Sequence, residues 1–301
     1  MIDFQDRVAV VTGAGGGLGR AHALLLASRG AAVVVNDLGG SVHGEGASSS
    51  AADDVVAEIR KSGGEAVAEY SSVATSDGGA AIVAKALDEY GRVDIVVNNA
   101  GILRDRSFAN MDWIELNTVL DVHLRGAFYV TQPAFRYMKE AKYGRIVMTS
   151  SASGLFGNFG QANYGAAKAG LVGLMNVLIL EGAKYNIKVN AIAPIAHTRM
   201  TEKVLEEMAD RFDPESVAPA VGYLCSEECE YTGDIWSVGG GSVSRIFIGL
   251  CDGYFQHPDR EGPLTIDDVA DNLNLIRSED GYLVPFSSED EFAKLGPRLM
   301  G

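Results

Sequence analysis

The chain has 301 residues, and its 25 basic and 40 acidic side chains give a formal net charge of −15. A hydrophobic fraction of 47% supplies enough apolar side chains for a core, which excludes a disordered chain despite the charge. The acidity argues against binding to nucleic acid or anionic lipid, because both depend on clustered Lys and Arg. Glycine is also unusual, with 36 residues, about 12% against a usual share of roughly 7%.

The sequence favours neither a membrane protein nor a secreted one. Its most apolar stretch, 171–180, is shorter than the ~20 residues that span a bilayer, and the N-terminus is acidic where a secretory signal is basic. Three cysteines (Cys225, Cys229 and Cys251) are too few for a disulfide framework. No further Cys or His nearby completes a tetrahedral metal shell around Cys225 and Cys229, so we expect buried thiols and no metal.

Short β-branched runs alternate with helical segments along most of the chain. The runs predict strands at 8–11, 32–35, 94–97, 145–148 and 188–192. Helical spacing predicts helices at 21–28, 51–61, 80–90 and 165–183. This alternation is typical of an α/β fold, here a single Rossmann-like, doubly wound parallel sheet with helices on both faces. Ligands of such sheets bind at the carboxyl ends of the strands.

Two segments depart from this alternation. Residues 38–50 are rich in Gly and Ser and predict a surface loop after the second strand. From residue 244 onward the sequence becomes a mixed, acidic tail that includes Pro258, Pro263 and Pro285. We therefore expect one domain at 1–243 and a C-terminal extension at 244–301 that packs on the same domain.

The first strand leads into a glycine-rich segment, Thr12-Gly13-Ala14-Gly15-Gly16-Gly17-Leu18-Gly19, which opens a helix. Glycines there permit a tight turn and let backbone N–H groups approach a pyrophosphate at the positive end of the helix. Such a run alone is weak evidence, because turns use glycine for backbone reasons.

Asp37 strengthens this interpretation, since it ends the second strand about twenty residues further on. A carboxylate at that place binds the ribose hydroxyls of a dinucleotide and repels a 2′-phosphate, so we predict NAD rather than NADP. Arg20 is the counter-argument as a partner for a 2′-phosphate, although a solvated arginine is the simpler interpretation. Asn98-Asn99-Ala100-Gly101 follows the strand at 94–97 and places polar amides beside the same ligand.

A candidate reactive group lies further along. Tyr164 and Lys168 are four apart in a helical stretch and share one face, and Ser151 follows the strand at 145–148. Oxidation of an alcohol needs a base at oxygen while hydride leaves carbon. Tyrosine, with a pKa near ~10, is a poor base at neutral pH, and an adjacent ammonium lowers that pKa. For an isolated Tyr-x-x-x-Lys, a solvated pair is the alternative.

In this order, the glycine-rich segment, the Asn-Asn-Ala-Gly segment and Ser151 before Tyr164-x-x-x-Lys168 resemble the short-chain dehydrogenase/reductase family over roughly residues 5 to 242. The resemblance implies that Tyr164 is the acid/base, that Ser151 orients the substrate and that Lys168 binds the nicotinamide ribose. It implies these cofactor contacts: Gly13, Gly15, Gly16, Gly17, Leu18, Gly19, Asp37, Ser72, Val73, Asn99, Ala100, Gly101, Tyr164, Lys168, Pro194 and Thr198.

Three positions depart from the family pattern. His123 stands where the family has an asparagine of a proton relay, and we count it among the candidate catalytic residues. Ser71-Ser72-Val73 lacks the aspartate that commonly binds the adenine amine. Ile195 replaces the usual glycine after Pro194, which should stiffen the loop that carries Thr198 toward the nicotinamide.

Residues 35–40, 101–108, 122–126 and 143–164 resemble one branch of the family, the (3R)-hydroxyacyl-CoA dehydrogenase part of peroxisomal multifunctional enzyme type 2, also called 17β-hydroxysteroid dehydrogenase type 4. The branch implies NAD-dependent oxidation of a (3R)-hydroxyacyl-CoA to the 3-oxoacyl-CoA in fatty-acid or sterol side-chain β-oxidation. Oxidation of free 17β-hydroxysteroids is an alternative, and a non-catalytic NAD-binding protein is a third.

The branch also implies expectations about partners and location. We expect an acyl-CoA or steroid substrate, a homodimer and no membrane insertion. Because the chain ends in Leu299-Met300-Gly301 and not in a peroxisomal tripeptide, we expect a free-standing cytoplasmic protein. Arg104, Arg106 and Arg245 are candidate bases for local phosphate binding. Candidate apolar walls of the substrate pocket, each of which suits the core equally well, are Leu155, Phe156, Phe159, Ile195 and Met200.

Overall fold

The computed structural model describes residues 1–198 and 210–300. The chain divides into two compact units, Met1–Arg245 and Ile246–Gly301, which are described separately. The candidate site lies entirely within the first unit.

An eight-stranded sheet forms the centre of the first unit, as far as the structure describes the chain. Its strands are β1 (Val8–Thr12), β2 (Ala32–Asn36), β3 (Glu65–Glu69), β4 (Ile95–Asn98), β5 (Gly144–Thr149), β6 (Ile187–Pro194), β7 (Ile235–Gly239) and β8 (Ser242–Ile246). They lie in the order β3-β2-β1-β4-β5-β6-β7-β8, and all pairs from β3 to β7 are parallel. The strand order reverses between β1 and β4, which is the point where ligands bind in sheets of this kind.

Helices accompany the sheet in the first unit. They are α1 (Gly17–Ser28), α2 (Ser50–Lys61), α3 (Ser76–Tyr90), α4 (Trp113–Leu120), α5 (Gly126–Ala141), α6 (Ala152–Leu155), α7 (Ala162–Gly182) and α8 (Ala218–Cys225). A π-helical turn, Asp121–Arg125, joins α4 to α5. Strands β1, β4 and β5 are buried along their whole length, as expected for a parallel sheet covered on both faces.

The second unit contains the helices α9 (Pro258–Glu261), α10 (Ile266–Asp271), α11 (Leu273–Ile276) and α12 (Ser288–Met300). Thr265 begins α10 with a capping box, because its side chain accepts from the Asp268 N–H and the Asp268 carboxylate accepts in return. None of the described residues of this unit is fully buried, so within itself it forms no hydrophobic core.

The predicted α/β fold is confirmed. The five predicted strands correspond to β1, β2, β4, β5 and β6, and the four predicted helices correspond to α1, α2, α3 and α7. The helices begin up to four residues earlier than predicted, α1 at Gly17 and α3 at Ser76, because glycines at these positions weaken the apolar pattern. Strand β3 was missed, since its two terminal glutamates leave only three apolar residues.

One helical run, Ala162–Tyr185, is long and apolar enough by length and composition to cross a membrane. The sequence prediction considered only the shorter stretch at 171–180 and overlooked this run. It is weak evidence for a membrane span, because the core helix of a globular protein passes the same test. The buried side chain of Lys168 and the contact of this helix with the sheet are typical of such a core helix.

Cys225 and Cys229 are buried free thiols, and Cys251 is half-buried and also free. Burial raises the pKa of the Cys225 and Cys229 thiols, so both remain protonated near neutral pH. Across residues 1–198 and 210–300, no group of three or more His, Cys, Asp and Glu side chains is close enough to hold a metal ion.

Candidate active site

The glycine-rich turn after β1 forms one wall of a cleft with a volume of about 370 Å³. Gly13 (φ +63°) and Gly17 (φ +51°) adopt the left-handed conformation, which strains any other residue. Gly19 is required for packing, because a Cβ there would lie 2.2 Å from the Gly13 carbonyl oxygen. Helix α1 begins at Gly17 with neither a side-chain cap nor an acidic residue in its first turn, so its positive end can receive an anion.

The Asn-Asn-Ala-Gly segment after β4 is hydrogen-bonded to this turn. The Thr12 hydroxyl accepts from the backbone N–H groups of Asn99 (3.0 Å) and Ala100 (3.1 Å). The Asn99 side-chain amide donates to the carbonyl oxygens of Thr12 (3.0 Å) and Gly13 (3.1 Å). The Asn99 side chain therefore shapes the cleft by holding two loops together.

Asp37 lies at the end of β2, on the side of the cleft where ribose hydroxyls are expected. Its carboxylate accepts from the backbone N–H groups of Gly15 (2.8 Å) and Gly39 (2.6 Å), which fixes its orientation. Arg20 is held by ion pairs with Glu58 (2.6 Å) and Glu215 (3.1 Å). The positive charge that argued for a 2′-phosphate is thus already neutralised.

Ser72 and Val73, the predicted adenine contacts, line the same cleft. The buried Glu69 beside them accepts from the Asn36 side chain (2.6 Å) and the Ser71 backbone N–H (3.0 Å). Sequence reasoning missed Asn36 and Glu69, since neither belongs to a recognisable motif. Their hydrogen bonds shape the loop that carries Ser72 and Val73.

The predicted reactive side chains meet in the structure. Ser151 caps the short helix α6 by accepting from the Ser153 N–H (3.2 Å), and its hydroxyl is hydrogen-bonded to the Tyr164 phenol. The Lys168 ammonium lies 5.5 Å from the centre of the Tyr164 ring and donates to the Thr149 carbonyl oxygen (2.5 Å). The three side chains line one end of the cleft.

Burial shifts the charge states of this group. Burial raises the pKa of Tyr164, and the hydrogen bond from Ser151 is the interaction that lowers it. Burial lowers the pKa of Lys168 to about 7, so its ammonium is partly deprotonated near neutral pH, and the lowering of the Tyr164 pKa by Lys168 stays a prediction. Ser151 is therefore the group that adjusts the Tyr164 phenol.

His123 lies in the π-helical turn between α4 and α5 and is almost fully buried. Its ring meets the Tyr164 ring edge to face, with centroids 5.1 Å apart. Its Nε2 lies 2.9 Å from the backbone nitrogen and 2.8 Å from the carbonyl oxygen of Ile102, while Nδ1 is buried without a partner. Burial, and then the charge of Lys168, hold the pKa of His123 well below its usual 6.5, so the ring is neutral.

Asn163, which sequence reasoning missed, holds Tyr164 in place. Its buried amide donates to the carbonyl oxygens of Arg104 (2.9 Å) and Glu115 (3.2 Å), and its oxygen accepts from the Tyr164 N–H (2.8 Å). One side chain thus connects the segment after β4, helix α4 and the first turn of α7. No local sequence pattern reveals such a function, because the partners are 48 and 59 residues away.

The cleft brings together nearly all of the predicted site residues. Those that line it are Gly13, Gly16, Gly17, Leu18, Asp37, Ser72, Val73, Asn99, Ala100, Gly101, His123, Ser151, Tyr164, Lys168, Pro194 and Thr198. Gly15 and Gly19 lie behind this surface, where Gly15 orients Asp37 and Gly19 permits close packing.

The described residues that were candidates for the apolar walls do not line the cleft. Phe156, Phe159 and Ile195 are exposed, Leu155 is half-buried, and none of the four lines the cleft. Met200 lies outside the described residues. The described apolar lining instead includes Ile102 and Val122, which the sequence did not single out for this purpose.

The residues present fit a nicotinamide dinucleotide. An uncapped helix end and a turn of left-handed glycines suit a pyrophosphate, and a Cβ on Gly17 would project toward Thr198, 3.4 Å from its methyl group. Asp37 follows β2 and Lys168 donates to Thr149 of β5, so the two side chains line the cleft on opposite sides of the point between β1 and β4 where the strand order reverses. This combination, with a serine and a tyrosine beside the lysine, defines an oxidoreductase that acts on a secondary alcohol or its ketone.

A family model described as short chain dehydrogenase matches residues 7–209. The chain belongs to this family, as the sequence resemblance predicted.

Particular relatives are also similar along most of the chain. A short-chain type dehydrogenase/reductase of Mycobacterium tuberculosis is 57% identical over 271 residues, which cover 90% of this chain and 93% of that one. Peroxisomal multifunctional enzyme type 2 of Mus musculus is 54% identical over 274 residues, 91% of this chain but 37% of the relative. The solved full-length structure of peroxisomal multifunctional enzyme type 2 from Drosophila melanogaster matches with a TM-score of 0.84 and 41% identity, over 99% of this chain and half of that one. The chain thus spans less than half of the mouse enzyme and half of the Drosophila one.

Proposed function

We propose that the protein oxidises a (3R)-hydroxyacyl-CoA, of fatty-acid or sterol side-chain origin, to the 3-oxoacyl-CoA with NAD. The observation that carries the proposal is the joint placement of Ser151, Tyr164 and Lys168 at the end of a dinucleotide cleft. The substrate class is supported by the similarity to peroxisomal multifunctional enzyme type 2 over 91% of the chain. That similarity includes the segments around His123 and Tyr164 on which the sequence resemblance depends.

The chain's own residues supply the proton chemistry. Bound NAD would supply the acceptor for the hydride of the alcohol carbon. Tyr164, in its phenolate form, accepts the hydroxyl proton at Oη. Ser151 orients the substrate oxygen and stabilises the phenolate by its hydrogen bond. Lys168 titrates near neutral pH, so it can pass a proton onward from the buried end of the cleft.

NAD is the proposed cofactor because of the charges around the adenosine ribose site. The oriented carboxylate of Asp37 repels a 2′-phosphate, and Arg20 is occupied by Glu58 and Glu215. The kcat/KM with NAD should therefore exceed that with NADP. A higher value with NADP would overturn this part of the proposal.

Substrate class is tested by initial rates of NADH formation with (3R)-3-hydroxyacyl-CoA thioesters and with a steroid-17β-ol at equal concentrations. We expect the thioesters to give the higher kcat/KM. Faster turnover of the steroid would favour the alternative, oxidation of free 17β-hydroxysteroids. Failure with every alcohol, while NAD still binds, would favour the non-catalytic alternative.

We further propose a homodimer without membrane insertion in the cytoplasm. Support for the dimer comes from exposed large apolar side chains on α4, α5 and α7: Trp113, Ile114, Phe128, Tyr137, Val177 and Leu180. The free thiols are typical of a reducing compartment. Sedimentation equilibrium at micromolar concentration tests the dimer, and a monomer there would contradict it.

A further inference from the structure

Three arginines are candidates for binding substrate phosphates, and they differ in whether a carboxylate is within hydrogen-bond distance of the guanidinium. Arg106 donates to Glu115 through both Nε (3.1 Å) and Nη2 (3.0 Å). Arg245 is paired with Asp234 at 2.8 Å. Both charges are therefore neutralised by carboxylates within hydrogen-bond distance, and neither needs an external anion.

Arg104 is placed differently. Within the part of the chain that the structure describes, its one carboxylate partner is Glu45, which is 4.0 Å from Nη2, too far for a hydrogen bond, and 76% exposed. The Arg104 side chain is 24% exposed, and its Nε is buried with no hydrogen-bond partner among residues 1–198 and 210–300. A buried donor of a charged group is unfavourable without an acceptor, and a phosphate oxygen is a strong acceptor for guanidinium.

The backbone contacts place Arg104 at the rim of the catalytic cleft. Its carbonyl oxygen accepts from Asn163, the residue before Tyr164. Ile102, two residues earlier, lines the cleft, as does Gly44, the neighbour of Glu45. The Leu103 N–H donates to the Val42 carbonyl oxygen (3.0 Å), so the two segments that carry Arg104 and Glu45 are hydrogen-bonded to each other.

We infer that Arg104 binds a phosphate of the nucleotide half of coenzyme A and so makes the protein selective for CoA thioesters over thioesters that lack it. This inference rests on the proposed function. A chain of net charge −15 does not attract polyanions through its overall field, so a polyanionic substrate must be held by a local cation. Glu45 competes with the phosphate for the same guanidinium.

The first test is equilibrium binding of free coenzyme A, measured by titration calorimetry and independent of turnover. Arg104→Gln should weaken binding about tenfold, which is about 1.4 kcal/mol. Glu45→Gln should tighten it about two- to threefold by removing the competing carboxylate. Arg245→Gln removes the same charge elsewhere and should leave it unchanged. An equal loss of coenzyme A affinity in Arg104→Gln and Arg245→Gln would overturn the inference, since the affinity would then depend on the overall charge of the protein.

The second test compares kcat/KM for three 3-hydroxyacyl thioesters, of CoA, of 3′-dephospho-CoA and of N-acetylcysteamine, which has no phosphate. Arg104→Gln should lower kcat/KM about tenfold for the CoA thioester and leave it unchanged for the N-acetylcysteamine thioester. If Arg104→Gln also lowers kcat/KM with the 3′-dephospho-CoA thioester, the contact is with the pyrophosphate. If kcat/KM with that thioester is unchanged, the contact is with the 3′-phosphate. Equal loss with all three, or none with CoA, would overturn the inference.

The experiments distinguish failure of the proposed function from failure of the Arg104 inference. If the wild-type protein oxidises none of the thioesters, the oxidation proposal fails, and the calorimetric comparison still decides the Arg104 contact. If the wild-type protein oxidises the CoA thioester and Arg104→Gln does so equally well, the proposed function stands and the Arg104 inference fails.

Discussion

The two ends of the cleft consist of different chemical groups. The cofactor end consists of backbone: the left-handed glycines Gly13 and Gly17, the uncapped start of α1 and N–H groups that orient Asp37. The catalytic end consists of buried side chains whose charge depends on their surroundings, such as Lys168 and His123. Substitutions at the first end should therefore change cofactor affinity, whereas those at the second should change catalytic rate and pH dependence.

The largest effect is expected from Tyr164→Phe, which removes the proposed proton acceptor and leaves the ring that packs against His123. We expect kcat to fall about a thousandfold, within the usual range for loss of an acid/base, with the Kd for NAD changed less than about twofold. Stopped-flow NADH formation and NAD titration measure the two quantities. Tyr231→Phe, at an exposed position, is the matched control. A parallel loss of NAD affinity would mean that the two ends are not separable.

Asp37→Ser tests the cofactor end and should have the next largest effect. The charged acceptor that we propose for the ribose hydroxyls is lost, so kcat/KM with NAD should fall about tenfold to a hundredfold, and the proposed preference for NAD over NADP should become smaller. The kcat at saturating NAD should stay near wild type, because the reactive side chains are untouched. Asp53→Ser, on α2, is the control for loss of one acidic charge. A fall in kcat with unchanged KM for NAD would contradict this division.

A smaller effect is expected where the two ends meet, at Gly101 and His123. A Cβ on Gly101 would lie 2.4 Å from Cε1 of His123, so Gly101→Ala should lower kcat/KM about tenfold. His123→Asn replaces the imidazole with a shorter side chain, which leaves space for a Cβ on Gly101. The double variant should therefore regain most of the loss, as a double-mutant cycle measures. Additive losses would show that the two side chains do not interact.

The cofactor end could be predicted almost completely from the sequence, because it depends on glycines whose spacing reflects the backbone conformation directly. Ser151, Tyr164 and Lys168 were also found, since a four-residue spacing places two of them on one helix face. The α/β fold followed from buried β-branched strands such as β1 and β4.

The rest depended on contacts between distant parts of the chain. The three hydrogen bonds of Asn163, the π-helical turn around His123 and the unpartnered Nε of Arg104 leave no periodic signal. Burial shifts the pKa of both Tyr164 and Lys168, and burial is a property of the assembled fold that the sequence does not show. Phe156 and Phe159 were named as pocket walls for their apolarity, yet they lie exposed on the loop that follows α6.

The central claim is that Tyr164 is the proton acceptor and that its pKa is raised by burial and lowered by Ser151. The most direct test is the pH profile of kcat/KM for alcohol oxidation in the wild-type protein and in Ser151→Ala. Phenolate fraction increases with pH, so the rate should rise with pH in both, and loss of the hydrogen bond should move the Tyr164 inflection to higher pH. Lys168, with its pKa lowered to about 7, titrates in both proteins alike. An inflection that stays in place or moves to lower pH would contradict the account.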